Sequence, residues 1–248
     1  MGDRPVTVSL LVGSTDNPAS VHGVHGAAGV TRWACLASRR DLSSHCEAVE
    51  WASVPPDGMS GEHRHTRTEE SYFIIRGSGE ILLNGAAQPV EPGSLVLTGI
   101  GATHGLRNIG ATDLDWLVIE CLSPATSAVL AGRSREQGEV PVSNALVVDM
   151  TREPSVETSA VFSGPLKRIE LVALTSGQER KFASVGVEHT VFVLSGSALA
   201  VSGGTQSRLE AGHCVTVPLG GAVTIAAESE RVELFTAVLS VDGPEEPQ

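Results

Sequence analysis

The chain repeats itself. At an offset of 119 residues, the segment 58–108 overlays 177–227 without a gap, so that Glu69 meets Glu188 and Phe73 meets Phe192. Gly77-Ser78 meets Gly196-Ser197, and Gly58, Gly85, Gly93 and Gly101 meet Gly177, Gly204, Gly212 and Gly220, with Glu91 on Glu210. A glycine at a turn marks backbone that excludes a Cβ, and glycines in register place the same turns twice. Such a chain is expected to fold as two copies of one unit. The runs between the turns are short and rich in Val, Ile and Leu: "YFIIRG", "EILL", "SLVLTG" and "LDWLVIECL", then "TVFVLSG", "ALAVSGG", "CVTVP", "AVTIAA" and "VELFTAVLSV". They read as strands, and "LNGA" as a tight hairpin turn. Helical periodicity is confined to "SPATSAVLAGRSREQ", Ser123 to Gln137. The expected fold is all-β, two tandem barrels or sandwiches with a short helical connector. The expected boundaries are an N-terminal segment 1–30, a first unit 31–122, a connector 123–161 crossing the surface, a second unit 162–242 and a tail 243–248.

Composition narrows the function classes. The chain has 248 residues, 41% hydrophobic and 19% charged, which suits a globular protein with an ordinary core. A formal charge of −12 without any basic run argues against nucleic acid and anionic membrane as partners. No apolar stretch approaches membrane-spanning length, and "VTVSLLVG" near the start, preceded by Asp3, lacks the flanks of a signal peptide. Cys35, Cys46, Cys121 and Cys214 are widely spaced, with no CxxC pair, so a reducing cytoplasmic setting with buried thiols is expected. Fifteen arginines beside Lys167 and Lys181 fit a GC-rich bacterial source.

The stretch "GEHRHTRTEESYFIIRG" carries His63 and His65, then Glu69 and Glu70, and "GSLVLTGIGATHGLRN" carries Gly93, Gly101, His104 and Asn108. These segments resemble the two motifs of the cupin family. The first is Gly, His-x-His, a Glu a few residues on and a Gly seven beyond it, here Gly58, His63, His65, Glu70 and Gly77. The second is Gly, five residues, Pro-x-Gly, two residues, His, three residues, Asn; Gly99 stands where the family usually has Pro. The resemblance implies two cupin-type barrels (double-stranded β-helix, or jelly roll), hence a bicupin. It also implies a metal centre of His63, His65, Glu70 and His104.

The residue types suit that chemistry on their own terms. His63 and His65 alternate on one strand and share a face; Glu70 can face them from the next strand, and His104 arrives from a more distant one. Three neutral imidazoles and one carboxylate suit one divalent transition metal, Fe²⁺, Mn²⁺, Ni²⁺, Co²⁺, Cu²⁺ or Zn²⁺, without choosing among them. Adjacent strand residues face opposite ways, so only one of Glu69 and Glu70 can ligate, and the Gly77 spacing favours Glu70. The second copy has Phe182, Ser184, His189 and Val223 at the four positions, so its barrel is expected to be metal-free. His22 and His25, in "SVHGVHGAAG", read as a flexible loop rather than a second site.

Other candidates follow from strand parity. If Glu70 points inward, so do Tyr72 and Ile74, while Phe73 and Ile75 pack outside. Tyr72, the only tyrosine, and Glu69 are candidate catalytic groups; Trp51, Arg76, Trp116 and Asn108 are candidate substrate-binding residues. Core packing competes for the tryptophans, a solvated charge for Arg76 and a turn for Asn108.

Within the resembled family, oxalate decarboxylases carry metal motifs in both halves, and ureidoglycine aminohydrolases in the second. Some ring-cleaving dioxygenases and pirin-like proteins load the first half, as here. The expected function is a metal-dependent enzyme acting on a small oxygen-rich organic molecule, by O₂-dependent oxidation (a dioxygenase) or by isomerisation or cyclisation through an enolate (an isomerase or cyclase). The alternative is a non-catalytic small-molecule-binding or sensor bicupin. The expected partner is a small-molecule substrate. The apolar outer faces allow a homodimer.

Overall fold

The computed structural model describes residues 10–133 and 144–241. The repeat governs it. Thr68–Arg76 and Ser94–Thr98 in the first copy match Val187–Ser195 and His213–Val217 in the second at the same offset. Gly93 and Gly212 both take left-handed backbone, with φ of 93° and 92°, a region that L side chains rarely enter. The Asn84-Gly85 turn also has both residues left-handed, φ 51° and 78°, the conformation that matches a two-residue loop to twisted strands.

Each copy is a pair of facing antiparallel sheets. In the first, a seven-stranded sheet runs Ala145–Asp149, Ser94–Thr98, Thr68–Arg76, Leu114–Leu122, Cys46–Val54, Val30–Ser38, Ala19–His22. Against it lies a four-stranded sheet of Met59–Arg64, Thr103–Asn108, Gly79–Leu83 and Ala86–Val90. The second copy repeats this with six strands, Leu11–Ser14 at one edge and Ser155–Glu157 at the other, and a second four-stranded sheet. The parity expected of Thr68–Arg76 holds. Tyr72 and Ile74 point into the first barrel, while Phe73 and Ile75 join the core shared with the second copy.

That shared core is the seam. It packs Phe73, Leu97 and Ile119 against Phe192, Phe235 and Leu239, and the rings of Phe73 and Phe235 lie 4.9 Å apart. Edge strands are exchanged across it: Leu11–Ser14, at the head of the chain, pairs with His213–Val217 of the second barrel. Ala145–Asp149, after the helix, pairs with Ser94–Thr98 of the first. Each exchange covers a sheet edge that would otherwise expose unpaired amides. The connector is therefore woven into both sheets rather than laid over the surface, and the N-terminal segment contributes to both barrels. The expected helix forms at Pro124–Leu130, with Ser123 Oγ accepting from the Thr126 amide and Pro124 at the first turn. Residues 134–137 of that stretch, like the tail from 242 on, lie outside the described residues.

The barrels differ inside. The second is filled by Phe182, Val191, Val193, Val215, Val223 and Ile225. The first leaves polar groups at the corresponding end, where His65, Glu70 and His104 are buried.

Candidate metal centre

Strand pairing brings the four expected ligands together. His104 sits opposite His63 in the small sheet, and Glu70 opposite Thr98 in the large one, so the group bridges the two sheets. His65 follows the end of its strand and is held by two backbone hydrogen bonds, its amide to Ala102 and its carbonyl from Gly101. One ligand atom from each of His63, His65, Glu70 and His104 lies within 4.8 Å of all the others.

Two of the imidazoles are set in one tautomer by what lies behind them. His63 Nδ1 is 3.0 Å from the Gly61 carbonyl and His65 Nδ1 is 3.1 Å from the Thr68 carbonyl. A carbonyl only accepts, so each Nδ1 carries the proton and each Nε2 keeps its lone pair. His104 Nδ1 is held by Thr98 Oγ1 at 2.8 Å. The inward atoms are crowded: His65 Nε2 and His104 Nε2 are 3.1 Å apart, and Glu70 Oε2 lies 2.9 Å from His104 Nε2 and 3.4 Å from His65 Nε2. Glu70 Oε2 is buried without a hydrogen bond of acceptable angle. Imidazole nitrogens and a carboxylate oxygen converging out of water suit a cation among them, and three imidazoles with one carboxylate are a donor set for a divalent transition metal.

Burial holds His63 neutral, its pKa pushed down to about 4. Burial works against charge on His65 too, but the Glu70 carboxylate outweighs it and raises that pKa. Glu70 is held well below the usual carboxylate range: burial opposes ionisation, and the adjoining His104 and His65 outweigh it.

The remaining candidates separate. Tyr72 is in the site: its ring centroid lies 4.5 Å from that of His104, and its hydroxyl is engaged by Ser60. Burial and the Glu70 charge raise its pKa well above the ordinary phenol value, so it is a neutral wall. Trp116 is buried beside it, centroids 5.7 Å apart, and lines the same cavity. Glu69 faces away: it accepts from Ser163 N, Ser163 Oγ and Gly164 N at 2.7–2.8 Å, and so binds the start of the second barrel to the first. Trp51 also points outward into the seam core, with Arg32 5.9 Å over its ring. Arg76 is an exposed group paired with Asp115 at 2.9 Å and Asp113 at 3.7 Å. Asn108 is a turn clamp, donating to the Val54 and Thr112 carbonyls and accepting from Gly110 N. Glu69, Trp51, Arg76 and Asn108 therefore leave the candidate site.

Two residues join it that sequence reasoning passed over. His25, placed in a flexible loop, instead stacks on His63 with centroids 3.5 Å apart and 11° between planes. Its segment, the strand Ala19–His22 and the turn Val24–Gly26, straps the barrel mouth. Glu50 points inward from Cys46–Val54, takes a hydrogen bond from Trp33 and lines both cavities beside the ligands; burial raises its pKa to about 7, with the Glu120 and Glu70 charges adding to the shift. In the second barrel His189 packs edge-on against Phe182, 3.3 Å from the Ala183 carbonyl, and the only cluster among the described residues that could hold a metal ion is the one in the first.

Comparisons with known proteins agree with the fold. Residues 50–120 match the family model described as a cupin domain. An oxalate-binding protein of Thermotoga maritima is 28% identical over 111 residues, which is 44% of this chain and 92% of that one. The solved structure of protein Ylba from E. coli superposes over 98% of this chain and 97% of its own, with a TM-score of 0.70 and 10% identity. Salicylate 1,2-dioxygenase from Pseudoaminobacter salicylatoxidans, solved as its adduct with gentisate, superposes over 96% of this chain and 83% of its own, with a TM-score of 0.67 and 16% identity. Residues 50–120 match a cupin domain by sequence, and the whole chain shares the fold of these solved structures.

Proposed function

We propose that this protein is a metal-dependent bicupin enzyme that acts on a small oxygen-bearing organic molecule at His63, His65, Glu70 and His104. The reaction is an O₂-dependent oxidation or an isomerisation or cyclisation. The observation that carries this reading is the convergence of three imidazole nitrogens and a buried Glu70 oxygen. A divalent transition metal held there supplies Lewis-acid polarisation of a substrate oxygen and, where it is redox-active, access to O₂ chemistry.

The chain's own groups have separate tasks. Gly61, Thr68 and Thr98 orient the imidazoles. Tyr72 and Trp116 wall one side of the site, and His25 covers one face of His63. Glu50 is the inward carboxyl whose environment lets it hold or release a proton near neutral pH. Four unpaired cysteines support a reducing, cytoplasmic setting, and among the described residues no helix is long and apolar enough to cross a membrane. The test is turnover. Protein loaded in turn with Fe²⁺, Mn²⁺, Ni²⁺ and Zn²⁺ is incubated with a panel of hydroxy-aromatic acids, 2-oxo acids and keto sugars, with and without O₂, and followed by oxygen electrode and proton NMR. Metal-dependent conversion that His104→Ala abolishes supports the reading. Conversion of nothing, with ligands binding the loaded protein unchanged, leaves a binding or sensor bicupin instead.

A further inference from the structure

Two unlike spaces meet at Glu70. On one side lies a polar vestibule of about 460 Å³ lined by His63, His65, Glu120, Arg64 and Arg67. On the other lies a compartment of about 370 Å³ whose wall is Trp33, Ala52, Tyr72, Trp116 and Val118. Glu50, Glu70 and His25 border both. Among the described residues no lysine or arginine lines the inner compartment; its only acidic groups are Glu50 and Glu70. The wall is completed by Val21, Val24 and His25 of the N-terminal strap, which lies outside the segment matching the family model.

We infer that this inner compartment receives the body of the substrate, a compact, uncharged apolar group of about single-ring size, attached to an oxygen-bearing head that faces Glu70 and the three histidines. The volume fits a small ligand, and three aromatic rings in the wall reward burial of a flat apolar group. A second carboxylate carried inward on the ligand would lie beside Glu50 with no lysine or arginine in the wall to pair it, and burying an unpaired charge is costly. The chain is therefore built against dianions of the oxalate type, although a relative of the first barrel is named for binding oxalate. The inference rests on the metal reading above.

The test holds the head constant and varies the body. Pyruvate, phenylpyruvate and 2-oxoglutarate share one 2-oxo-carboxylate head and differ in a methyl group, a phenyl ring and a second carboxylate. Each is titrated into Co²⁺-loaded protein, with the visible bands of the metal and the fluorescence of Trp33 and Trp116 as readouts. Phenylpyruvate is expected to bind at least tenfold more tightly than pyruvate, and 2-oxoglutarate no more tightly than pyruvate. Ala52→Phe, which fills the compartment, is expected to bring phenylpyruvate within about threefold of pyruvate while leaving the Co²⁺ bands in place. Should that variant fail to fold, Glu50→Gln supplies the second test, and is expected to tighten 2-oxoglutarate at least threefold. Equal binding of all three acids, or a preference for 2-oxoglutarate, overturns the inference and would place the ligand in the vestibule beside Arg64 and Arg67. Absence of Co²⁺ bands in the wild-type protein instead removes the metal reading itself.

Discussion

The two carboxylates that the repeat keeps in register, Glu69 and Glu188, should be the most costly polar groups to remove outside the metal centre. Glu69 is 2% exposed and takes three donors from residues 163–164 at 2.7–2.8 Å. Glu188 is fully buried and takes the amides of Ser43, Ser44 and Leu219 at 2.9–3.0 Å. Each is a staple across the seam: the first barrel's carboxylate holds the start of the second, and the second's holds a loop of the first. In Glu69→Ala the Gly164 amide is buried and orphaned, Ser163 N can recruit water, and the Ser163 hydroxyl can rotate. An orphaned buried donor costs about 1–3 kcal/mol, and hydrogen bonds to a charge lie at the upper end, so each alanine variant should lose about 2–4 kcal/mol. For a chain of this size that corresponds to roughly 5–15 °C in Tm. Glu69→Gln keeps one acceptor and should lose about half as much or less. Urea unfolding of the metal-free protein, followed by tryptophan fluorescence, gives the numbers. A loss below about 0.5 kcal/mol in both alanine variants would show that the seam is held by Phe73, Phe235 and their apolar neighbours alone, and would refute the staple argument.

Other outcomes follow from the site. Thr98→Val removes the oxygen that holds His104 Nδ1 while keeping the side chain's shape, and should weaken metal binding about 10–100-fold by competition against a chelator dye, with Tm little changed. Gly61→Ala drives a Cβ into the His25 carbonyl; hydrogen exchange across residues 19–27 should rise several-fold while the rest of the first barrel stays protected. In the metal-free protein Glu50 sits among Trp33, Glu120 and Glu70 with its pKa raised to about 7. A carboxyl whose folded pKa exceeds its unfolded value keeps its proton longer in the native state, so stability should fall as pH rises from about 4.5 to 7. The fall is at most ~3 kcal/mol and should be absent in Glu50→Gln. A pH–stability curve identical in wild type and Glu50→Gln would refute that assignment.

How much of this was legible in the sequence depends on how local each signal is. The two barrels were readable because turn glycines and strand runs repeat at a fixed offset, and each is a property of a few neighbouring residues. His63, His65, Glu70 and His104 were readable for the same reason, as spaced ligands on strands whose parity is fixed by the pleat. The exchanged edge strands were not, because Leu11–Ser14 and Ala145–Asp149 find partners in the barrel they are not part of. His25 lay hidden for a similar reason: its strap reaches His63 only through long-range packing, and Gly61, the small residue admitting it, gives no hint of what will approach. The direction of Trp51 and Glu50 rested on the phase of Cys46–Val54, and register shifts at both neighbouring strands remove any simple count from flanking residues. For Glu69 a signal did exist. Where the ligand positions diverge between the copies, Glu69 and Glu188 are identical, which marks a role belonging to the fold rather than to the metal.

The account turns on one measurement, the metal content of purified protein after saturation and gel filtration, taken by plasma mass spectrometry. The arrangement of His63, His65, Glu70 and His104 predicts close to one divalent transition metal per chain, falling below about a tenth in His104→Ala with the fold retained. A wild-type protein that stays empty after saturation with iron, manganese, nickel and zinc, or a His104→Ala variant that holds as much metal as wild type, would contradict it.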